Sequence, residues 1–399
     1  MKKLFSLCLL AILCPALVSA AASNASDLGV ISKGYDISTL SIHVSGSTPE
    51  LNALANTAFN AHKRYKVVQS GGQFEAKFTQ VAPNQVKVEI TRGSTPVHTQ
   101  VVSGTSTRHA LLKAADVAVE KTNGLGLRGF FASKLAFVSE RTGKREIYVG
   151  DLFFGEVKRI THDGALKLSP RWAPDGNRIV YTSYFRTGFP DIYQVDPHTG
   201  MSTTLVSLKG TNGSARFSPD GRQLTMILSG EGNPEVYVGN AQGKLVRRLT
   251  RTPEGVEASP CFSPDGSRLV FTSDIRGRPQ LFTMSISGGS MVPLPTGGTY
   301  CAEPDWSRGN PNKIAYTLQV GRSFQIAVFD MAARESKRMP SAPFDAVEPS
   351  WLADGRHLVY TARNPSESHI CILDTESGQS TPVSGSGLGT VQQASVYGP

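Results

Sequence analysis

One short segment, Ser-Pro-Asp-Gly, returns along this chain at a nearly constant interval. It stands at Ser218–Gly221 and Ser263–Gly266, with shorter or related forms at Ala173–Gly176 and Ala353–Gly355. Five repeats align around it, each with an aromatic residue just before the turn, at spacings of 45, 45, 44 and 45 residues: Trp172, Phe217, Phe262, Trp306 and Trp351. A period of this length is typical of a propeller or a solenoid.

Each repeat has the composition of a four-stranded antiparallel sheet. A short apolar strand leads into the turn, where Pro presets φ, Asp can bond back to the backbone and Gly accepts positive φ. The following strands are β-branched and aromatic, as at Arg178–Tyr184 and Arg268–Asp274, and a polar strand comes last. Four strands in about 45 residues match one propeller blade. The repeated aromatic residues are therefore expected to pack between blades rather than contact a ligand.

The number of blades follows from the second strands, of which there are six. They centre on Leu135, Ile179, Leu224, Leu269, Ile314 and Leu358. The first of them has no inner strand before it, but Ala394–Pro399 resembles the missing strand, with Tyr397 46 residues after Trp351. We therefore expect the C-terminus to supply the innermost strand of the first blade, which removes the open edges of a linear array.

The residues before the repeats indicate a smaller domain of a different kind. Thr48–His62 has a Thr cap, an early Pro and apolar residues at helical spacing, and Ser106–Gly124 is a second amphipathic helix. Between and around them lie alternating segments typical of strands. The predicted fold is mainly β: a small α+β domain at 21–128, followed by a six-bladed β-propeller at 129–399 that the C-terminal strand closes.

The first twenty residues resemble a secretory signal. Lys2 and Lys3 precede an apolar stretch, and Val18–Ala20 offers small residues for cleavage after about Ala20. No later segment has about 18 consecutive apolar residues, so no transmembrane anchor is expected in the mature chain. The formal charge of +9 is scattered, which disfavours a nucleic-acid partner. Three cysteines remain after the signal, and buried thiols are expected at Cys261, Cys301 and Cys371.

Motifs of common catalytic and metal sites do not occur in the sequence. There is no HExxH, no CxxC, no GxSxG nucleophile elbow and no P-loop. An enzyme would have to assemble its site from separate propeller loops. We therefore expect no enzyme, no cofactor and no metal site.

The repeats at Ser169, Ser214 and Ser259 resemble those of the TolB family. The stretch Ala115–Gly143 resembles the family's junction between the second helix and the first blade, and the order of segments is similar from end to end. The resemblance implies a monomeric periplasmic component of the Tol–Pal system, which binds the peptidoglycan-associated lipoprotein Pal and supports outer-membrane integrity and cell division. It also implies recruitment by bacteriocins and contact with TolA through the amino-terminal segment Ala21–Tyr35.

A partner is expected at the mouth where the innermost strands begin. The positions that match the family's contacts are Leu168, Thr211, Asn212, Ser214, Ala258 and Ser259. Three glutamates, Glu257, Glu303 and Glu348, are expected around the same mouth, where they would either receive a basic side chain or only cap backbone amides of the blades. The alternative function is an exported propeller enzyme, a hydrolase or lyase, or a glycan-binding module that uses the same mouth.

Overall fold

The computed structural model describes residues 39–185, 188–340 and 344–398. Six four-stranded sheets follow one another in these ranges, after one five-stranded sheet with two helices. The signal segment 1–20 and Ala21–Tyr35 lie outside the described residues. No helix in the described ranges is long and apolar enough to cross a membrane.

The five-stranded sheet is built by residues 40–103 and is covered by two helices. Its elements are β1 (Leu40–Gly46), α1 (Pro49–His62), β2 (Tyr65–Val68), β3 (Phe74–Ala82), β4 (Gln85–Arg92) and β5 (Thr95–Ser103), followed by α2 (Thr107–Thr122). The sheet order is β2-β1-β3-β4-β5; β1 runs parallel to β2 and β3, and the last three strands are antiparallel. The side chain of Thr48 caps α1, as the sequence predicts, and the side chain of Ser106 caps α2.

The six sheets are the blades of a propeller. Blade 1 contains β6 (Lys134–Ser139), β7 (Glu146–Asp151) and β8 (Val157–Arg159). Blade 2 contains β9 (Lys167–Trp172), β10 (Ile179–Ser183), β11 (Asp191–Val195) and β12 (Ser202–Val206). Blade 3 contains β13 (Asn212–Phe217), β14 (Gln223–Leu228), β15 (Glu235–Asn240) and β16 (Arg247–Arg248).

The remaining blades repeat the same antiparallel order. Blade 4 contains β17 (Glu257–Phe262), β18 (Arg268–Ser273), β19 (Gln280–Ser285) and β20 (Val292–Pro293). Blade 5 contains β21 (Cys301–Trp306), β22 (Lys313–Val320), β23 (Ser323–Asp330) and β24 (Glu335–Arg338). Blade 6 contains β25 (Asp345–Trp351), β26 (His357–Arg363), β27 (Ser368–Asp374) and β28 (Ser380–Pro382), and a short 3₁₀ turn follows at Ser386–Leu388.

The C-terminal strand β29 (Val391–Tyr397) closes the ring by pairing with β6. The predicted closure is therefore confirmed, but its register is one residue away from the expected one. Val396 lies opposite Leu135, just as Trp351 lies opposite Leu358 in the preceding blade. Tyr397 instead packs on Trp172 of blade 2, with ring centroids 5.3 Å apart.

The aromatic residues of the repeats pack against the preceding blade, as predicted. Trp172 lies in one apolar cluster with Val138, and Trp306 in another with Val270. The same holds for the aromatic residues of blades 3, 4 and 6. Burial of these large side chains against the neighbouring sheet stabilises the contact between successive blades.

The α+β part and the ring share one continuous apolar core. Phe59 and Leu111 of the helices lie in the same cluster as Val359 of blade 6. Asp116 on α2 accepts hydrogen bonds from the backbone N–H groups of Phe130, Phe131 and Ala132, at 2.7 to 2.9 Å. The linking segment is therefore held against α2 before it enters blade 1.

The three cysteines in the described ranges are free and buried. Burial raises the pKa of Cys301 and of Cys371 to about 11. Both thiols therefore remain protonated near neutral pH and pack as small apolar side chains.

Candidate functional site

Every innermost strand bends at one residue that has a left-handed backbone. The six residues have φ between 48° and 59°, and none is glycine: Ser169, Ser214, Ser259, Glu303, Glu348 and Gln393. The register of each inner strand shifts beside this residue, which is the signature of a β-bulge. We call these six residues the entry ring, because they encircle the channel near the beginning of the inner strands.

A chain of hydrogen bonds runs along part of the entry ring. The Glu303 carboxylate accepts the backbone N–H of Glu348 at 3.0 Å, and Glu348 accepts the N–H of Gln393 at 3.0 Å. The Gln393 side-chain oxygen then accepts the N–H of Ser169 at 2.8 Å. Each side chain thus caps the bulge amide of the next blade, so the capping role left open for Glu303 and Glu348 is present.

Threonines on the second strands support the same bulges. Thr317 donates to Glu303 at 2.7 Å and Thr361 donates to Glu348 at 2.8 Å. Their hydroxyl oxygens also accept the N–H groups of Glu348 and Gln393, both at 3.1 Å. Because each threonine hydroxyl both donates and accepts a hydrogen bond, the two carboxylates are held in place without a cation.

The carboxylate of Glu303 lies in surroundings that disfavour its negative charge. Burial and the neighbouring Glu348 charge raise the pKa of Glu303 above its ordinary value of 4.5. Among the described residues, no Lys, Arg or His forms an ion pair with either carboxylate, and no group donates to Oε1 of Glu303. A basic side chain that entered the ring would therefore meet two close carboxylates.

The structure divides the predicted partner-binding residues into two groups. Thr211, Ser214, Ser259, Glu303 and Glu348 are half-buried and lie at or beside the entry ring. The others are buried at the strand starts: Leu168, Asn212, Glu257 and Ala258. Asn212 is bonded within its own loop, to the carbonyls of Leu208 and Gly210. Only the first group has partly exposed side chains.

The expected place of Glu257 at the mouth needs correction. Glu257 is completely buried between blades 3 and 4, where Ser273 donates to it at 2.7 Å and Thr252 at 3.0 Å. The strand register explains the difference: Glu257 pairs with the last residue of β18, whereas Glu303 occupies the bulge two residues further along its strand. The two glutamates look alike in sequence but hold different positions in their blades.

Sequence reasoning missed Gln393 and the supporting threonines. Gln393 takes the bulge position of blade 1 and is 45 residues after Glu348. The threonines recur at one position of the second strand, as Thr182, Thr272, Thr317 and Thr361. That recurrence was the available signal, because a hydroxyl is unusual at four equivalent places in otherwise apolar strands.

One group of side chains in the described ranges has the composition of a metal site. The ligand atoms of His62, Asp354 and His357 lie within 4.8 Å of one another. Both ring nitrogens of His357 have partners already: Nδ1 faces Asp354 at 2.5 Å and Nε2 faces the His62 carbonyl at 2.7 Å. These contacts join α1 to blade 6, whereas neither ring nitrogen of the buried His62 has a hydrogen-bond partner among the described residues.

Comparisons with known proteins agree with this architecture. The sequence model of the TolB beta propeller domain matches residues 125–396. A crystal structure of TolB from Acinetobacter baumannii is similar with a TM-score of 0.79 and 23% identity, covering 90% of this chain and 96% of that one. The structure of a putative TolB from Agrobacterium tumefaciens gives a TM-score of 0.51 at 16% identity, covering 63% and 88%.

Curated relatives are similar over shorter stretches. The Tol-Pal system protein TolB of Desulfosudis oleivorans is 39% identical over 127 residues, which are 32% of this chain and 28% of that protein. The protein of the same name from Francisella tularensis subsp. mediasiatica is 30% identical over 204 residues, 47% and 46% of the two chains. The matches thus span less than half of each relative's length.

Proposed function

The chain belongs to the TolB beta propeller family, and from this premise we propose that it is a periplasmic, non-catalytic component of a Tol–Pal system. In this proposal it binds a Pal-like lipoprotein at the entry ring and supports outer-membrane integrity during division. The observation that supports the site most strongly is the pair of carboxylates, Glu303 and Glu348, with which no Lys, Arg or His of the described residues forms an ion pair.

The partner's contribution follows from the chemistry of the ring. A Lys or Arg side chain at the tip of a loop would reach Oε1 of Glu303, while backbone N–H groups beside it would meet Ser214 and Ser259. The ring is held by hydrogen bonds within the propeller, so little ordering is required when a partner docks. Complementary charge would also speed the encounter of the two proteins.

The direct test is capture of partners from an outer-membrane extract of the organism that encodes the chain. We expect the immobilised protein to retain a Pal-like lipoprotein, and the purified soluble domain of that lipoprotein to bind it directly. Turnover of a peptide or a glycan by the purified chain, without retention of the lipoprotein, would overturn the proposal in favour of the enzymatic alternative.

A further inference from the structure

The channel has a second recess, at the end where the inner strands finish. It is a cavity of about 330 Å³, and its wall includes the strand-ending aromatic residues. They are Trp172, Phe217, Phe262, Trp306 and Trp351, joined by Tyr397. We call this cavity the exit pocket. It lies beyond the entry ring along every inner strand, on the opposite side from the predicted partner.

Three arginines give the exit pocket a positive charge. Arg171, Arg216 and Arg308 line it together with one acidic residue, Asp305. Arg216 forms an ion pair with Asp305. Neither Arg171 nor Arg308 pairs with a carboxylate anywhere in the described ranges, and the only side-chain hydrogen bond found for Arg171 goes to the Pro170 carbonyl at 3.2 Å. The pocket therefore holds more positive charge than it neutralises.

The environment of Arg171 makes this imbalance costly. Burial, and then the neighbouring Arg216 charge, lower the pKa of Arg171 to about 10. The guanidinium is still charged at neutral pH, and the nearby carboxylates of Asp305 and Glu348 oppose the lowering of its pKa without cancelling it. An anionic ligand would remove that cost.

Arg171 and Arg216 occupy a position that has a capping role in the other four blades. The position is the residue just before the repeated aromatic residue of the inner strand, or just before Val396 in blade 1. In four blades its side chain accepts a backbone N–H of the following inner strand, at 2.8 to 3.4 Å: Cys261, Asp305, Ser350 and Ser395. Arg171 and Arg216 occupy the same position in blades 2 and 3. A guanidinium has no acceptor and cannot make that bond.

We propose that the exit pocket binds a small organic carboxylate. The guanidinium of Arg171 would hold the carboxylate through paired N–H groups, the geometry for which arginine is best suited. The aromatic wall would receive the body of the ligand, and the volume lies at the lower end of the range for small-molecule sites. This site is independent of the proposed lipoprotein contact, because it uses other residues at the other end of the channel.

Tryptophan fluorescence gives a selective readout of the exit pocket. The chain has three tryptophans, and all three line the cavity. Titration of the purified protein with glucuronate and with benzoate is expected to give a saturable fluorescence change, whereas the uncharged counterparts glucose and benzyl alcohol give none. An equal response to the neutral compounds, or no saturable response to either carboxylate, would overturn the proposal.

Variants locate the binding on the arginine cluster. Arg171→Gln is expected to weaken carboxylate binding at least tenfold, and Ala353→Glu, which adds an acid to the wall while keeping Arg171, is expected to do the same. Arg278→Gln, the same change at an exposed turn of blade 4, should leave the affinity within twofold of wild type. Wild-type affinity in Ala353→Glu would contradict the assignment even if Arg171→Gln failed to fold.

Discussion

At the scale of single residues, repeated sequence does not give repeated surroundings. Gly176 and Gly266 end equivalent Pro-Asp-Gly turns and have nearly the same φ, 70° and 72°. A Cβ on Gly266 would lie 3.6 Å from Pro219, an ordinary contact, but a Cβ on Gly176 would lie 2.4 Å from the Tyr397 ring. The C-terminal strand has therefore made one of the turns intolerant of a side chain.

Gly266→Ala and Gly176→Ala should consequently differ in stability. The first should lose only the left-handed strain, about 1–2 kcal/mol. The second should lose a further ~1–3 kcal/mol, because Tyr397 must leave Trp172 to avoid the new methyl group. Urea denaturation measures both free energies of unfolding. Equal losses in the two variants would contradict the packing of Tyr397 described above.

Glu257 is the residue whose protonation state the fold changes most clearly. Burial, followed by the nearby Glu235, raises its pKa to about 8. Oε2 of Glu235 is buried and lacks any other hydrogen-bond partner among the described residues, so a proton on Glu257 satisfies both carboxyl groups. The pair thus shares one proton near neutral pH.

A pH dependence of stability follows from this pair. The unfolded chain releases the Glu257 proton near its ordinary pKa of 4.5, while the folded protein keeps it up to about pH 8, so the stability from this residue falls as pH rises through that window. Glu257→Gln should be within about 0.5 kcal/mol of wild type at pH 5 and more stable by about 1 kcal/mol or more at pH 9.

The control for this pH effect is Glu254→Gln, the same change at an exposed position three residues earlier. Chemical denaturation of both variants and of wild type at pH 5, 7 and 9 provides the comparison. A Glu257→Gln difference from wild type that does not change between pH 5 and pH 9 would show that the carboxyl is ionised in the folded state.

At the scale of elements, the fold depends on its last strand. β29 supplies the inner strand of blade 1, and it also carries Gln393 of the entry ring and Tyr397 of the exit pocket. Without it, β6 would present an unpaired edge toward the channel. The same seven-residue strand therefore closes the ring and contributes to both ends of the channel.

Removal of residues 391–399 should destabilise the propeller by roughly 5 kcal/mol or more, since it opens the ring as well as deleting a strand. A synthetic peptide of those nine residues should restore the folded signal in circular dichroism in a saturable way, and a scrambled peptide of the same composition should not. If the shortened chain unfolded at the same urea concentration as the wild type, this would contradict the closure of the ring by β29.

The sequence predicted the elements well because their signals are local. The cap at Thr48, the Pro-Asp-Gly turns and the apolar second strands each depend on neighbouring residues. The bulges could not be predicted in this way, since six non-glycine residues with left-handed backbones are imposed by pairing across the blade. Each bulge shifts the pairing register of its strand. Glu257 and Val396 therefore hold positions in their blades that differ from those expected from the spacing of the sequence repeat.

At the scale of the whole molecule, the two ends of the channel differ in charge. Among the described residues, Glu303 and Glu348 of the entry ring form no ion pair with a cation, while the exit pocket holds three arginines and one acidic residue, Asp305. The sequence placed the glutamates near the first end but gave no indication of the second, because the three arginines are 45 to 137 residues apart and only ring closure brings them together. The propeller thus offers different chemistry to partners at its two ends.

The central claim is that a Pal-like lipoprotein docks at the entry ring, and calorimetric titration of its soluble domain tests this most directly. Thr211→Trp places a large side chain beside the ring, and Thr203→Trp makes the same change on the exposed outer strand β12. We predict that Thr211→Trp weakens binding at least tenfold while Thr203→Trp binds like wild type. Wild-type affinity in Thr211→Trp would contradict the account.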